Sequence, residues 1–361
     1  MKLTAFNELH KQAGGKMVEF AGYQMPIQYP TGIIHEHNLV RSKVGVFDVS
    51  HMGEFEVRGK DALSYVQKIT VNDASKLSEG KVQYSAMCLP DGGIVDDLLV
   101  YCMGDWFMLV VNGANIDKDF AWCINNTEGF EVEVKNETDE VNLLAIQGPD
   151  SLKTLQKLTH VDLSDIEYYN FKTGALAGID MILSRTGYTG ELGFEIYFRG
   201  DVSVATMIWE KVFEAGQEFG IEPVGLGCRD TLRLEKGYCL YGNDIDETTN
   251  TLEAGLGWIT KLSKGQFNAS DVLNKVKTEG LKRRLVGFTV EAEKFIPRHH
   301  YKIFSGEREI GVVTSGNISP VLNKGIGMGY VEIDFIQEGS KIEIEARGKR
   351  FNAIVTKIPF L

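Results

Sequence analysis

Two carboxylates stand side by side inside an otherwise apolar run, Ile94-Val95-Asp96-Asp97-Leu98-Leu99-Val100-Tyr101. A charge buried in such a strand is costly unless it is paired or used. Alternation along a strand puts Val95, Asp97, Leu99 and Tyr101 on one face and Ile94, Asp96, Leu98 and Val100 on the other, so at most one acid faces a given cleft. The period does not choose between them, and a structural use, capping local backbone or pairing with an arginine, stays open. A second cluster, Ser184-Arg185-Thr186-Gly187-Tyr188-Thr189-Gly190-Glu191-Leu192-Gly193-Phe194-Glu195, crowds three glycines, two acids and two aromatics around a turn. Glycines let backbone approach closely, and an aromatic beside a carboxylate suits a flat heterocycle with paired N–H donors. By itself this is equally a plain hairpin. A third run, Gly225 onward to Glu235, opens a helix on which Arg229 and Arg233 share a face at i, i+4, so that one can take an anion while the other makes a structural pair.

Other chemistries have no carrier. No Walker A pattern, strand-linked G-x-G-x-x-G, H-E-x-x-H or G-x-S-x-G occurs. His51 has no Cys or acid at ligand spacing and reads as a hydrogen-bonded structural histidine, and the adjacent His299 and His300 are poorly placed to share a metal. No metal site is expected. The net charge of −12 argues against a general nucleic-acid binder. The five scattered cysteines form no chelating or redox pair, the first fifteen residues lack the apolar run of a secretory signal, and no window approaches eighteen apolar residues. These features predict a reducing, cytoplasmic location and no membrane span.

Elements must position these side chains, and their periods are legible. Between 54 and 135 the pattern gives a strand at 55–57, a helix at 62–69, a hairpin of 83–89 and 94–101 around Pro90-Asp91-Gly92-Gly93, a strand at 106–111, a helix at 115–125 and a strand at 131–134. That order suits a split βαβ, ferredoxin-like unit. Further strands are expected at 142–147, 181–184 and 194–198, with a long amphipathic helix over 202–219. After Arg284 the helical period disappears and short β runs follow, as in a small barrel or sandwich. Residues 281–361 carry thirteen basic and nine acidic residues, +4, leaving −16 for the rest, which supports a boundary near Lys282-Arg283-Arg284. The expected division is therefore 1–280, two intertwined α+β subdomains with one around 54–135, and 281–361.

Taken in order, Phe47-Asp48-Val49-Ser50-His51-Met52-Gly53, Gly92-Gly93-Ile94-Val95-Asp96-Asp97, Gln147-Gly148-Pro149, Arg185-Thr186-Gly187-Tyr188-Thr189-Gly190-Glu191 and Thr314-Ser315-Gly316 resemble the aminomethyltransferase family, the T-protein branch of the glycine cleavage system. The resemblance spans most of the chain and implies an α+β, three-domain, folate-binding fold with a C-terminal β-barrel. It implies tetrahydrofolate as one-carbon acceptor, with no metal and no flavin, and the lipoylated H-protein as the carrier that brings the aminomethyl group. Carried over residue by residue, Asp97 matches the family's essential acid near folate nitrogens 5 and 10, and Glu195 the carboxylate that grips the pterin's ring N–H and 2-amino group. Tyr188 matches a ring-contacting residue and Arg229 a basic residue associated with the folate's acidic portion. Met52, Tyr84, Tyr101, Val110 and Asn112 match further pocket-wall positions. The chain ends at Lys357-Ile358-Pro359-Phe360-Leu361, where many relatives are expected to continue. Two other functions share the motifs: a folate-dependent demethylase and a folate-binding protein without transferase activity.

Overall fold

The computed structural model describes residues 1–292 and 295–361. The chain divides into two compact units, each assembled from three stretches: Met1–Val66, Ala74–Gln83 and Leu98–Asp230 form the first, and Gln67–Asp73, Tyr84–Asp97 and Thr231–Leu361 the second. Among the described residues no helix is long and apolar enough to cross a membrane.

The N-terminal segment supplies α1 (Asn7–Gln12), the hairpin of β1 (Lys16–Phe20) and β2 (Tyr23–Gln28), and α2 (Ile33–Ser42). Next come β3 (Gly45–Asp48), β4 (Gly53–Arg58), α3 (Ala62–Ile69), β5 (Val82–Cys88), β6 (Ile94–Cys102), β7 (Phe107–Val111), α4 (Ile116–Asn125) and β8 (Glu133–Asn136). Five of these strands form one sheet in the order β5-β6-β7-β4-β8. Taken from the far edge, β8-β4-β7-β6 is the strand order of a ferredoxin-like βαββαβ unit, and β5 extends it. The turn between β5 and β6 forms at Pro90-Asp91-Gly92-Gly93, where Asp91 Oδ1 accepts from the Gly93 N–H (3.1 Å) and Gly92 takes the positive φ of 97° that the turn needs.

A six-stranded sheet, β10-β11-β12-β9-β3-β13, adds β9 (Val141–Gln147), β10 (Phe171–Leu176), β11 (Ile179–Ser184), β12 (Gly193–Arg199) and the short β13 (Glu222–Pro223), with α5 (Ser151–Gln156) and α6 (Val202–Gly216) between them. Only the β13–β3 pair is parallel. Asp201 caps α6, its Oδ1 accepting from the N–H groups of Ser203 (2.9 Å) and Val204 (3.1 Å). Ala205, Ile208, Trp209 and Val212 recur at helical spacing and bury one stripe of α6 in a core with Phe6, Val46, Leu144, Ile146, Ile196 and Phe198. Burial of each such side chain stabilises the fold by about 1.5–3 kcal/mol.

The helix α7 (Leu226–Glu235) and, later, α8 (Ser270–Glu279) precede a closed barrel of β14 (Arg283–Val290), β15 (Lys302–Ser305), β16 (Arg308–Ser319), β17 (Lys324–Glu332), β18 (Lys341–Ala346) and β19 (Lys349–Thr356). Closure comes from β14, which pairs antiparallel with both β17 and β19, so the barrel has no open edge. Alternate residues such as Val286, Phe288 and Val290 fill its interior. The fold is thus the expected mixture of helices and sheets with a C-terminal barrel.

Candidate functional site

In the first unit the polar centre is Glu195 on β12, 5% exposed. Strand alternation sets Glu195, Tyr197 and Arg199 on one face of β12. The Thr186 hydroxyl donates to Glu195 Oε2, and Thr186 belongs to a buried hydroxyl network with Ser184 (2.9 Å) and Tyr101 (3.3 Å). The Tyr101 hydroxyl also meets those of Ser184 and Tyr197, each at 3.0 Å. Tyr101 is fully buried, so it braces Glu195 through Thr186 from inside the protein rather than presenting its hydroxyl at a wall. Burial pushes the Glu195 pKa up, and the Thr186 hydroxyl and the Arg229 charge offset part of that rise.

Arg229, on α7, lays its guanidinium over the Tyr188 ring at 4.7 Å and reaches Met52 Sδ at 3.9 Å. Its pKa is lowered by burial, with Glu195 the leading opposing influence. The 186–191 loop that carries Tyr188 is pinned from two sides. Arg41 Nη1 donates to the Thr189 carbonyl (2.6 Å) and to Glu191 Oε1 (2.9 Å). Gln147 Nε2 donates to the Thr186 carbonyl (3.1 Å), and the Thr189 hydroxyl donates to Gln147 Oε1 (2.8 Å). The Gln147 amide occupies the space a side chain would need at Gly187 and Gly193, where a Cβ would fall 2.2 and 2.3 Å from it. The glycines of this cluster therefore admit a bracing side chain. Arg233, the i+4 neighbour of Arg229, is the structural arginine: it is buried and pairs with Asp244 Oδ2 at 2.7 Å.

In the second unit the two acids of β6 separate. Asp96 is 0% exposed, whereas Asp97 is half-buried and accepts the Tyr84 hydroxyl at 2.9 Å. The Tyr84 ring stacks on Trp258 (6.0 Å between centroids, 29° between planes), and Trp258 is 62% exposed. Asp97 is thus the acid with partial solvent access and a phenolic donor. Of the remaining expected positions, Val110 is buried in β7, where its cross-strand neighbours are Leu99 and Glu54, and half-buried Asn112 follows the end of β7. The geometry groups Glu195, Arg229, Tyr188 and Met52 in the first unit and Asp97 with Tyr84 in the second.

His51 departs from expectation. It is 4% exposed, yet its Nδ1 has no hydrogen-bond partner. The ring packs edge-on against Phe20 at 5.2 Å, and burial together with the Arg229 charge lowers its pKa to about 4. A neutral imidazole held by packing replaces the hydrogen-bonded one that sequence predicts.

Residues 6–264 match the GCVT N-terminal domain and residues 283–361 the glycine cleavage T-protein C-terminal barrel domain. The chain belongs to the aminomethyltransferase family of the glycine cleavage system. It is 52% identical to the aminomethyltransferase of Halothermothrix orenii over 362 residues, covering 100% of both chains, and 55% identical to that of Bacteroides thetaiotaomicron over 365 residues, covering 100% of this chain and 99% of the relative. The crystal structure of glycine cleavage system aminomethyltransferase T from Bartonella henselae superposes with a TM-score of 0.93 at 34% identity, covering 100% of this chain and 98% of that one. Against these relatives the expected C-terminal shortening is not seen, because they too are spanned almost end to end.

Within this aminomethyltransferase, one buried acid under the electrostatic influence of Glu195 carries no signal in the sequence. Glu54 on β4 is 2% exposed and its Oε1 has no hydrogen-bond partner. Its segment, Gly53-Glu54-Phe55-Glu56-Val57-Arg58, alternates apolar and charged like any strand with one wet face. At Glu54 that face is covered instead, whereas the Arg58 side chain stays 43% exposed.

Proposed function

We propose that this aminomethyltransferase takes the aminomethyl group carried by lipoylated H-protein and passes its carbon to tetrahydrofolate, releasing ammonia and leaving 5,10-methylenetetrahydrofolate. The observation that carries the reading is a buried carboxylate, Glu195, braced by the Thr186 hydroxyl and balanced by Arg229, itself stacked on Tyr188. A carboxylate held in this way accepts two adjacent N–H donors, which is the edge a pterin offers. Burial raises the energy of an unsatisfied Glu195, so the site favours a ligand that brings donors. Tyr188 and Met52 supply apolar contact for the ring, Arg229 attracts the anionic part of the folate, and Tyr84, Asn112 and Val110 are proposed wall positions. Tyr101 acts behind the wall, through Thr186.

Tetrahydrofolate, as acceptor, supplies two nucleophilic nitrogens, and the transferred carbon exchanges its bonds to the amine nitrogen and the lipoyl sulfur for bonds to them. The departing amine leaves as ammonia and the carrier keeps a reduced dithiol. Asp97 is the proposed catalytic acid–base group, with the Tyr84 hydroxyl fixing its orientation at 2.9 Å. A positioned general acid or base contributes roughly two to four orders of magnitude in rate. As proposed, the transfer uses neither metal nor flavin. The five cysteines are all free thiols, in keeping with a cytoplasmic enzyme.

The test is single-turnover formation of 5,10-methylenetetrahydrofolate and ammonia from purified protein, tetrahydrofolate and aminomethyl-loaded H-protein, with Asp97→Asn alongside. Product that requires the carrier and falls at least a hundredfold in the variant supports the reading. Folate binding without carrier-dependent product overturns it, as does full activity in a folded Asp97→Asn.

A further inference from the structure

Alternation on β4 sets Glu54 and Glu56 on one face, and on β12 it sets Glu195, Tyr197 and Arg199 on one face. Glu56 reaches Arg199 at 3.6 Å, and Glu195 and Tyr197 are electrostatic neighbours of Glu54. Glu54 is 2% exposed, stands next to Val110 across the strand pair, and has Oε1 unpartnered. Among the described residues no cation forms an ion pair with it. A buried polar atom without a partner calls for an explanation, and at the rim of a binding site the simplest is an absent ligand.

We infer that Glu54 touches the bound pterin directly, forming with Glu195 a two-carboxyl grip contributed by β4 and β12. The inference rests on the folate reading given above. The groups that face Glu54 are Glu195 and Tyr197 on β12 and Tyr23 on β2, while Arg229 serves Glu195. Burial, reinforced by repulsion from Glu195, pushes the Glu54 carboxyl well above its ordinary range and so favours its protonated form. The two carboxyls then have opposite roles. Glu195, whose rise the Thr186 hydroxyl and Arg229 offset in part, accepts N–H donors, whereas Glu54 in its protonated form donates one O–H to a pterin acceptor and offers Oε1 to a further donor. Ionisation of Glu54 as the pH rises removes its O–H donor and adds a negative charge that Glu195 repels.

Tetrahydrofolate affinity of the full chain, measured by anaerobic titration calorimetry from pH 6 to 9.5, tests this with Glu54→Leu, Glu54→Gln and Glu195→Gln, each checked for folding by its melting temperature. The expected result for Glu54→Leu is binding weaker by about tenfold, the value of one buried hydrogen bond pair. Wild-type affinity falls toward alkaline pH, and Glu54→Gln, which cannot ionise, binds about threefold more weakly at pH 7 and loses that fall. Folded Glu54→Leu binding within twofold of wild type overturns the inference, and so does a Glu54→Gln protein that keeps the alkaline fall. If Glu195→Gln binds as wild type does, the folate reading itself fails, whatever the Glu54 variants do.

Discussion

Arg229 and Arg233 stand four residues apart on α7, and replacing each in turn by methionine separates stability from binding. Arg233 is 2% exposed and donates to Asp244 Oδ2 (2.7 Å), Ser315 Oγ (2.9 Å) and the Tyr238 carbonyl (3.0 Å). Methionine restores much of the volume but leaves the buried Asp244 without its cation. Asp244 keeps the Leu240 N–H (2.9 Å) and the Ser315 (2.8 Å) and Thr314 hydroxyls. The loss then falls toward the lower end of the about 3–5 kcal/mol usual for a broken buried pair. In a unit of about 150 residues, each kcal/mol moves the melting temperature by about 2–4 °C, so Arg233→Met should melt roughly 6–12 °C lower. Arg229 has the opposite balance, because burial already disfavours its charge. Arg229→Met should melt within about 2 °C of wild type while tetrahydrofolate affinity drops about tenfold, the loss of one charge-assisted contact. Scanning calorimetry and folate titration on both variants provide the readout. Equal melting of Arg233→Met and wild type, or an Arg229→Met protein that is as destabilised as Arg233→Met and still binds folate, would refute the division of labour.

Tyr84→Phe keeps the stack on Trp258 but removes the hydroxyl donated to Asp97, and kcat should fall by roughly tenfold in the single-turnover assay without loss of melting temperature. Lys264 donates to the carbonyls of Gln67 (2.8 Å), Thr70 (2.5 Å) and Asn72 (2.6 Å), and burial brings its pKa down from 10.5 to about 7. The unfolded chain therefore binds more protons between those two values, and stability rises with pH across the window. Urea unfolding should show the wild-type advantage over Lys264→Met widening between pH 7 and 10, by at most about 1.4 kcal/mol per unit; a constant or shrinking gap would contradict the assignment. At Gly113 an added Cβ would lie 2.2 Å from the His51 carbonyl oxygen. Gly113→Ala should accordingly cost about 1–3 kcal/mol and, by displacing the turn that ends in Met52, weaken folate binding in the same titration.

Much of the fold was legible because period and burial agree. The helix at 62–69, the β5–β6 hairpin and the six barrel strands all carry patterns that only one element type satisfies. The long helix runs to Gly216, and its last stretch, Gln217–Phe219, tightens into a 3-10 turn. The β1–β2 hairpin and α8 were not anticipated: β1 is largely exposed, and α8 buries only Ser270 and Leu273 fully, so neither repeats an apolar period strongly. At the site, an acid within an apolar run drew attention to Asp97, and a glycine-rich turn to Glu195. Glu54 gave no such signal, because a charged residue at every second position describes a wet strand face equally well. Its electrostatic neighbours Glu195 and Tyr197 lie on β12, more than a hundred residues away in sequence, and local period carries no information about neighbours so distant. For the same reason the Tyr101 hydroxyl network is invisible in sequence, since its partners lie on β11, the loop that follows it and β12.

The interleaving of the two units has a consequence for synthesis on the ribosome. Tyr84–Asp97 belongs to the second unit, but the rest of that unit resumes only at Thr231, after the whole stretch Leu98–Asp230 has been made. At about 5–20 residues per second, this apolar hairpin arm, with only the already translated Gln67–Asp73 of its own unit beside it, waits roughly 7–27 s before the partners from Thr231 onward are translated. Its residues Ala86, Cys88 and Ile94 are destined for the interior, so a nascent chain of this protein displays a sticky strand pair for that interval. Neither unit is a contiguous stretch that can be cut out and expressed alone, and slowing translation after codon 97 should increase chaperone engagement and aggregation, whereas slowing it before codon 67 should not.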